Sequence, residues 1–294
     1  MTGSHWVNDA GYLVGPICIT NTHSVGMVHH AATKWMIEHY RDFWFHNHVW
    51  AMPVVAETYD GVLNDINGQH ITLEDALHAI TSASNDAFPL GNTGGGTGMI
   101  CFGFKGGTGS ASRQFDIGND RHTLGVLVQA NHGIRQWFRP FGVPVGEHLS
   151  GHDVSDDQEK GSIIVIVGTD VPMLPGQLKQ VAKRAAIGIG RGGTPGGNSS
   201  GDIFLCFSTA NAKPIPTDDE SMTPSRNQIE YIEESCLDQV YMATVQSIEE
   251  AVVNAMLAAE DMSTLRPHGQ ICRAIDHSDL LDVMSLYGYQ SENE

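Results

Sequence analysis

The residues of this chain best suited to chemistry form the junction Asn198-Ser199, which follows a glycine-rich stretch and precedes an apolar run at 202–209. If the glycine-rich turn strains the peptide bond, the Ser199 hydroxyl can attack the Asn198 carbonyl, and hydrolysis of the ester frees the Ser199 amine. An α-amino group titrates near neutral pH, so it can act as general base for its own hydroxyl. Taken alone, Asn-Ser among glycines is more often an ordinary turn. The same residues with Ser200 form a glycosylation sequon, relevant only in a secreted protein.

Apolar runs predict the elements that position this junction. Strand-like runs occupy 12–22, 51–59, 99–104, 122–131, 162–167 and 202–209. Helices are predicted over 28–42, from a capping box at Thr72 onward, over 175–190 and over 237–262. The run at 202–209 is apolar on both faces, which is typical of a central strand covered on two sides. Because strands and helices do not alternate regularly, we predict an α+β sandwich of packed sheets enclosed by helices.

Composition excludes several classes of function. The chain has 294 residues, 34 acids and 16 bases, for a formal charge of −18, which argues against nucleic-acid and anionic-membrane binding. No apolar run of transmembrane length and no signal peptide is present, so we expect a cytoplasmic protein. Five dispersed cysteines predict neither disulfides nor a zinc site. Many of the 33 glycines cluster at 91–109 and 188–201 without a nucleotide-binding motif, and the histidine pairs at 29–30 and 46–48 lack a metal motif.

A set of further stretches follows in order over most of residues 3–260: Gly15-Pro-Ile17, Thr20-Asn-Thr-His-Ser24, Pro53-Val-Val-Ala-Glu-Thr-Tyr-Asp-Gly61, Leu63-Asn-Asp-Ile-Asn67, Gly94-Gly-Gly-Thr-Gly-Met99, Phe104-Lys-Gly-Gly107, Val128-Gln-Ala-Asn131, Gly142-Val-Pro-Val-Gly146, Gly161-Ser-Ile-Ile-Val165, Thr169-Asp170, Asn198-Ser-Ser-Gly-Asp-Ile-Phe204, Phe207-Ser-Thr-Ala-Asn211 and Ala243-Thr-Val-Gln-Ser-Ile-Glu-Glu-Ala251. Together they resemble the DmpA and β-peptidyl aminopeptidase (BapA) family of L-aminopeptidase/D-esterases, peptidase family P1 (S58).

The resemblance implies a precursor that cuts itself before a serine or threonine, which then becomes an N-terminal nucleophile. Ser199 matches that position, so we expect one catalytic domain over 1–294 that is cut into 1–198 and 199–294, fragments of 198 and 96 residues. The implied fold is a four-layer αββα sandwich that resembles N-terminal-nucleophile hydrolases with different connectivity. The implied activity releases N-terminal residues, including D- or β-amino acids, from small peptides, amides or esters. The resemblance implies no metal or organic cofactor. It also implies homo-oligomers, often tetramers.

The family's supporting serine and glutamate match Ser247 and Glu249. Glu249 would hold the Ser199 amine or hydroxyl, and Ser247 would relay a hydrogen bond. Without the family, Ser before Glu-Glu is an ordinary helix cap with acids favoured by the dipole. Residues two positions apart do not lie on the same face of a helix. We therefore expect at least one of the pair to lie in a non-helical cap at a helix start.

Two further roles are less fixed by the sequence. Asn131, which ends an apolar strand, is a tentative oxyanion donor, and backbone N–H groups of 92–98 could assist it. Asn131 is also readily explained as a strand-end residue. Asp170, Glu57 and Asp60 are available to bind the substrate amine, and nothing in the sequence chooses among them.

Other readings stay open at this point. One is an acyltransferase of the ornithine-acetyltransferase type, whose nucleophile is threonine, and another is a truncated, unprocessed relative that serves as a binding module. Typical family members carry several strands before the region that here begins at Thr2, so a fragment or a truncated natural form is one interpretation of the chain. The stretch 264–294 matches family endings poorly, and the loop at 212–235 is long.

Overall fold

The computed structural model describes residues 1–46, 50–151, 154, 159, 161–213 and 226–289. Its helices are α1 (Ser4–Ala10), α2 (Val25–His39), α3 (Arg41–His46), α4 (Leu73–Thr81), α5 (Val145–His148), α6 (Pro175–Lys183), α7 (Ala185–Arg191), α8 (Leu237–Leu257) and α9 (His277–Leu286). Its strands are β1 (Ile17–Asn21), β2 (Val54–Thr58), β3 (Ile100–Cys101), β4 (Phe104–Lys105), β5 (Gly107–Ile117), β6 (Asp120–Ala130), β7 (Ile164–Thr169), β8 (Ile203–Ser208), β9 (Met262–Ser263) and β10 (Ile271–Cys272). None of the described helices is long and apolar enough to cross a membrane.

Two sheets form the centre of the fold. The larger has the order β5-β6-β7-β8, with antiparallel pairing except between β7 and β8, which are parallel. The smaller is the parallel pair β1 and β2. The alternation of side chains in β7 explains why this strand is apolar throughout, because Ile164 and Ile166 face the smaller sheet and Val165 and Val167 face the helices.

The cores between these elements define four layers. Val54 and Ala56 of β2 pack against Ile164, Ile166 and Leu205 between the two sheets. On the far side of the larger sheet, β5 to β8 pack against α6, α7 and α8 in the main core. Val28 and Ala31 of α2 pack with Val55 and Ala76 on the far side of the smaller sheet. The predicted α+β class and αββα layering are therefore confirmed.

The structure corrects several predicted elements. Strand β8 is covered on both faces, as predicted. Among the described residues, however, it is the last strand of its sheet and not a central one. The run at 99–104 is a hairpin, because Phe102 and Gly103 both have positive φ and turn the chain between β3 and β4. The helix predicted over 175–190 breaks at Arg184, and α8 ends at Leu257 instead of 262. Predictions on 47–48, on most of 152–160 and on 214–225 lie outside the described residues.

Candidate active site

The Asn198-Ser199 junction lies in a turn between α7 and β8. The Ser200 amide donates to the Gly197 carbonyl at 2.9 Å, which puts Asn198 and Ser199 at the two central positions of the turn. Both are exposed. The chain is continuous here, so the Ser199 nitrogen is still an amide. The structure therefore describes the uncut chain with its candidate scissile bond on the surface.

Two polar side chains fix the strand side of this turn. The Gly201 amide donates to Ser162 Oγ at 2.8 Å, and Ser200 Oγ donates to Asp202 Oδ1 at 2.5 Å. Asp202 Oδ1 also accepts from the Ile163 amide at 3.2 Å. These bonds tie the start of β8 to the start of β7, so the junction leaves a fixed strand end.

A buried carboxylate lies against the other side of the turn. Glu159 Oε1 accepts from the Gly133 amide at 2.8 Å, while its Oε2 is buried without a hydrogen-bond partner among the described residues. A Cβ atom at Gly197 would lie only 2.0 Å from Glu159 Oε2. A side chain at 197 would therefore have to displace the Glu159 carboxylate.

Asn131 is a buried link between the strand ends near the junction. Its Nδ2 donates to Thr58 Oγ1 at 2.9 Å and to the Tyr59 carbonyl at 2.8 Å, and its Oδ1 accepts from the Ile100 amide at 2.8 Å. Thr58 Oγ1 in turn donates to the Ser162 carbonyl at 2.9 Å. The structure thus connects Asn131 with the junction through two residues, and both of its amide hydrogens are engaged in the uncut chain.

The glycine-rich segment 94–98 forms a short 3-10 helix held by a buried lysine. Lys105 Nζ donates to the Gly96 carbonyl at 2.9 Å and to the Gly106 carbonyl at 2.7 Å. Burial disfavours the cation and lowers the pKa of Lys105 to about 8. Within the segment, the Gly96 amide is already bonded to the Thr93 carbonyl, so not every N–H of 92–98 is available to an oxyanion.

The structure overturns the predicted cap position of Ser247 and Glu249. Helix α8 begins ten residues earlier than Ser247, at Leu237, so both residues lie in its interior and both are buried. Glu249 Oε2 pairs with Arg191 Nε at 2.7 Å. Ser247 Oγ and Glu249 Oε1 are buried without a hydrogen-bond partner among the described residues. Native structures contain few such atoms, and each needs an explanation.

The three acids proposed for amine binding lie in different places. Asp170 follows the last residue of β7 and accepts from the Thr123 amide at 2.9 Å. A six-residue strand separates it from Ser162, about 20 Å along the strand. Glu57 and Asp60 lie at the opposite end, with Thr58 and its bond to Ser162. Geometry therefore leaves Glu57, which is partly exposed, and Asp60, which is buried.

Sequence reasoning assigned no role to Ser162, Asp202, Glu159 or Arg191. Ser162 and Asp202 fall within stretches that carry the family resemblance, and each is a polar residue just before a strand of the larger sheet: Asp202 directly precedes β8, and Ser162 lies two residues before β7. That position was a usable signal. Glu159 and Arg191 gave none, because an acid in a polar loop and a base at a helix end are ordinary features. Among the described residues no group of three or more His, Cys, Asp or Glu is placed to hold a metal ion.

The chain was compared with protein families and with characterised relatives. The sequence model of peptidase family S58 matches residues 1–269. The chain belongs to this family. It is 43% identical to the β-peptidyl aminopeptidase BapA of Sphingosinicella microcystinivorans, over 98% of this chain and 73% of that protein. It is 36% identical to the BapA of Sphingosinicella xenopeptidilytica, over 92% of this chain and 71% of that protein.

Solved structures give the same result for the S58 fold. The L-aminopeptidase D-Ala-esterase/amidase of Ochrobactrum anthropi, a prototype serine aminopeptidase with a variant of the Ntn hydrolase fold, superposes with a TM-score of 0.92 at 50% identity, over 99% of this chain and 78% of that one. A Burkholderia β-aminopeptidase superposes with a TM-score of 0.87 at 38% identity, over 99% of this chain and 79% of that one. These matches confirm the predicted family, fold and enzyme class: this chain is a hydrolase of the serine-aminopeptidase type.

Proposed function

We propose that this chain cuts itself between Asn198 and Ser199 and then uses Ser199 as an N-terminal nucleophile. Its substrates are small peptides, amides or esters with a free amine, from which it releases N-terminal amino acids, β- and D-residues included. The β-peptidyl aminopeptidase and D-Ala-esterase activities named for its relatives support this substrate class. The proposed chemistry requires no cofactor, since the nucleophile and base belong to one residue.

The observation that carries the proposal is the pair of unpartnered atoms in α8. Leaving a buried polar group unbonded costs about 1–3 kcal/mol, yet Ser247 Oγ and Glu249 Oε1 are both left so in the uncut chain. A free Ser199 amine and hydroxyl would offer the donors that these two oxygens lack. The predicted roles of Ser247 and Glu249 thus gain support from their burial, although their position in the helix differs from the expected one.

Cleavage follows a balanced course. Ser199 Oγ bonds to the Asn198 carbonyl carbon, the carbon–nitrogen bond breaks, and the hydroxyl proton ends on the Ser199 nitrogen. Water then hydrolyses the ester and leaves a carboxylate at Asn198 with a free hydroxyl and amine at Ser199. In turnover the amine takes the proton from Oγ as Oγ bonds to the substrate carbonyl carbon, and gives it to the leaving group as the scissile bond breaks. Water then hydrolyses the acyl–Ser199 ester, which releases the amino acid and restores the hydroxyl.

Asn131 is proposed to donate to the oxyanion that forms in each step. Its Nδ2 is bonded to Thr58 and Tyr59 in the uncut chain, so one of these bonds must be exchanged for the oxyanion. Glu57 is proposed to bind the substrate amine, because it is the accessible acid at the junction end of β2. Assembly into homo-oligomers, tetramers in particular, and a cytoplasmic location stay predictions from the sequence.

The first test separates Ser199 from its neighbour. Ser199→Ala removes the attacking hydroxyl, so we expect the variant to remain a single 294-residue chain and to lose hydrolysis of an amino-acid p-nitroanilide. Ser200→Ala keeps that hydroxyl and is expected to cut at the same bond. Intact mass and N-terminal sequencing of the small fragment measure the cut. Glu249→Gln in the same assay is expected to lose most activity.

Two outcomes would refute this assignment. Normal turnover by Ser199→Ala would exclude Ser199 as nucleophile. A small fragment that begins at Ser200 would move the nucleophile by one residue.

A further inference from the structure

Arg191 forms an ion pair with one oxygen of Glu249 and leaves the other free. Its Nε lies 2.7 Å from Glu249 Oε2, and the Glu249 side chain is only 4% exposed. Glu249 Oε1 has no hydrogen-bond partner among the described residues. A buried carboxylate needs a counter-charge, and this one receives it at a single oxygen. The contact therefore fixes the carboxylate and keeps Oε1 available.

Close packing of two helices places the arginine. A Cβ atom at Gly188 of α7 would lie 2.8 Å from Ile248 Cβ of α8, so only glycine lets the two helices meet here. Residues three apart share one side of a helix, so Arg191 lies on the same side of α7 as Gly188. This brings its guanidinium to Glu249, the residue after Ile248.

The position of Arg191 does not depend on the Asn198–Ser199 bond. The Gly192 amide donates to the Ile189 carbonyl at 3.0 Å, and the Gly192 carbonyl accepts from the Arg139 amide at 2.8 Å. Gly193 is pressed against Trp137, with a distance of 1.6 Å from a hypothetical Cβ to the Trp137 carbonyl oxygen. These contacts anchor the chain several residues before the cut, so we expect the ion pair to be retained in the cut protein.

We propose that Arg191 is a positioning residue for catalysis: it holds Glu249 Oε2 so that Oε1 points to the amine of Ser199 in the cut enzyme. The inference rests on the proposed function, since it needs Ser199 as nucleophile and Glu249 beside it. In this role Arg191 contacts the carboxylate and not the reacting atoms. Its effect on the reaction passes through the carboxylate.

The test compares charge with shape at position 191. Arg191→Gln removes the counter-charge, and we expect kcat per cut chain to fall about 10²-fold, the size usual for one preorganised electrostatic contact. KM should change less than about threefold, because ground-state binding of substrate is untouched. Arg191→Lys keeps the charge and should restore kcat to within about tenfold of the parent enzyme. Fragments are quantified by N-terminal sequencing so that rates refer to cut protein.

Arg184→Gln is the matched control. Arg184 caps the start of the same helix and lies over the Tyr241 ring of α8, 3.9 Å from its centroid. It also joins α7 to α8 but does not contact Glu249, so kcat should stay near the parent value.

Three results would overturn the proposal: equal kcat for Arg191→Gln and the parent, equal loss in Arg191→Gln and Arg191→Lys, or failure of Arg191→Gln to cut. Retained hydrolysis by Ser199→Ala would instead refute the proposed function, whatever the arginine variants do. Inactive Ser199→Ala with normal Arg191→Gln would sink this inference alone.

Discussion

Lys105 is a cation in the interior of the protein. The whole residue is buried, and its two described partners are the carbonyls of Gly96 and Gly106. Its pKa is lowered from 10.5 to about 8, mainly by burial. The ammonium thus anchors the 94–98 segment through its hydrogen bonds, while its burial costs free energy. Because the lysine loses its charge as pH rises, the net contribution of Lys105 to stability changes with pH.

The direction in which the free energy of unfolding changes with pH can be predicted. Below about pH 8 the lysine is charged in both the folded and the unfolded chain, and the burial penalty is complete. Between about pH 8 and 10.5 the unfolded chain holds a proton that the folded chain has lost, so stability rises with pH. Relative to Lys105→Met, the free energy of unfolding should rise by up to about 3 kcal/mol over this range.

Urea unfolding at pH 7.5, 9 and 10.5 measures this difference. Both proteins carry Ser199→Ala, so that each remains one chain. A difference that stays flat across this range, or falls, would show that Lys105 does not change its charge there.

Among individual residues, the sequence singles out those whose type and local setting suit the proposed chemistry. Asn198 and Ser199 stand out because a hydroxyl follows a glycine-rich turn, and the resemblance adds Ser247, Glu249 and Asn131. Arg191 and Glu159 could not be identified, because each matters through a contact made by folding: Arg191 with Glu249, and Glu159 with Gly197. Ser199 and the α8 pair are not joined by any described hydrogen bond, so their use together stays a prediction.

At the scale of elements, α8 lies directly on the backbone of the larger sheet. A Cβ atom at Gly109 of β5 would be 1.9 Å from the Ala251 carbonyl oxygen, and one at Gly91 would be 2.0 Å from the Ala258 carbonyl oxygen. Gly125 of β6 has no atom within 4 Å of its hypothetical Cβ. Two glycines of the 91–109 cluster, Gly91 and Gly109, therefore allow close packing of α8 and need no role in the chemistry.

Gly109→Ala and Gly125→Ala form a matched pair of strand variants. Gly109→Ala forces β5 and α8 apart, so we expect it to lower the free energy of unfolding by about 1–3 kcal/mol or to prevent folding. Gly125→Ala should stay within about 1 kcal/mol of the parent, since alanine also restricts the unfolded chain. The urea midpoint and slope in the Ser199→Ala background measure both, and equal stabilities would contradict the packing argument.

Elements were predicted where one local signal dominates. The β-branched run of β7 and the capping box at Thr72 both appear as expected, and the Thr72 side chain accepts from the Asp75 amide. The hairpin at Phe102-Gly103 was missed because a positive φ at phenylalanine is set by its surroundings. The cap at Ser247 was wrong because a serine before two acids looks the same inside a buried helix as at its start.

At the scale of the whole molecule, the segments before and after the Asn198–Ser199 bond are interleaved in the fold. Strand β8 and helix α8 follow Ser199, yet β8 pairs with β7 and α8 packs on β5 and β6. Neither 1–198 nor 199–294 therefore contains a complete core.

That interleaving makes folding order matter once the chain is cut. If the chain is cut as proposed, the precursor folds as one molecule, whereas the cut enzyme unfolds into two chains that must meet again. Each tenfold dilution should therefore disfavour the refolded cut enzyme by about 1.4 kcal/mol relative to Ser199→Ala, whose halves remain covalently linked. Refolding yield after dilution from urea, followed against protein concentration, compares the two, and parallel curves would contradict this expectation. A cut enzyme of this kind would keep a shape that formed while its two parts were still one chain, and its recovery from heat or denaturant would depend on how often the two chains meet.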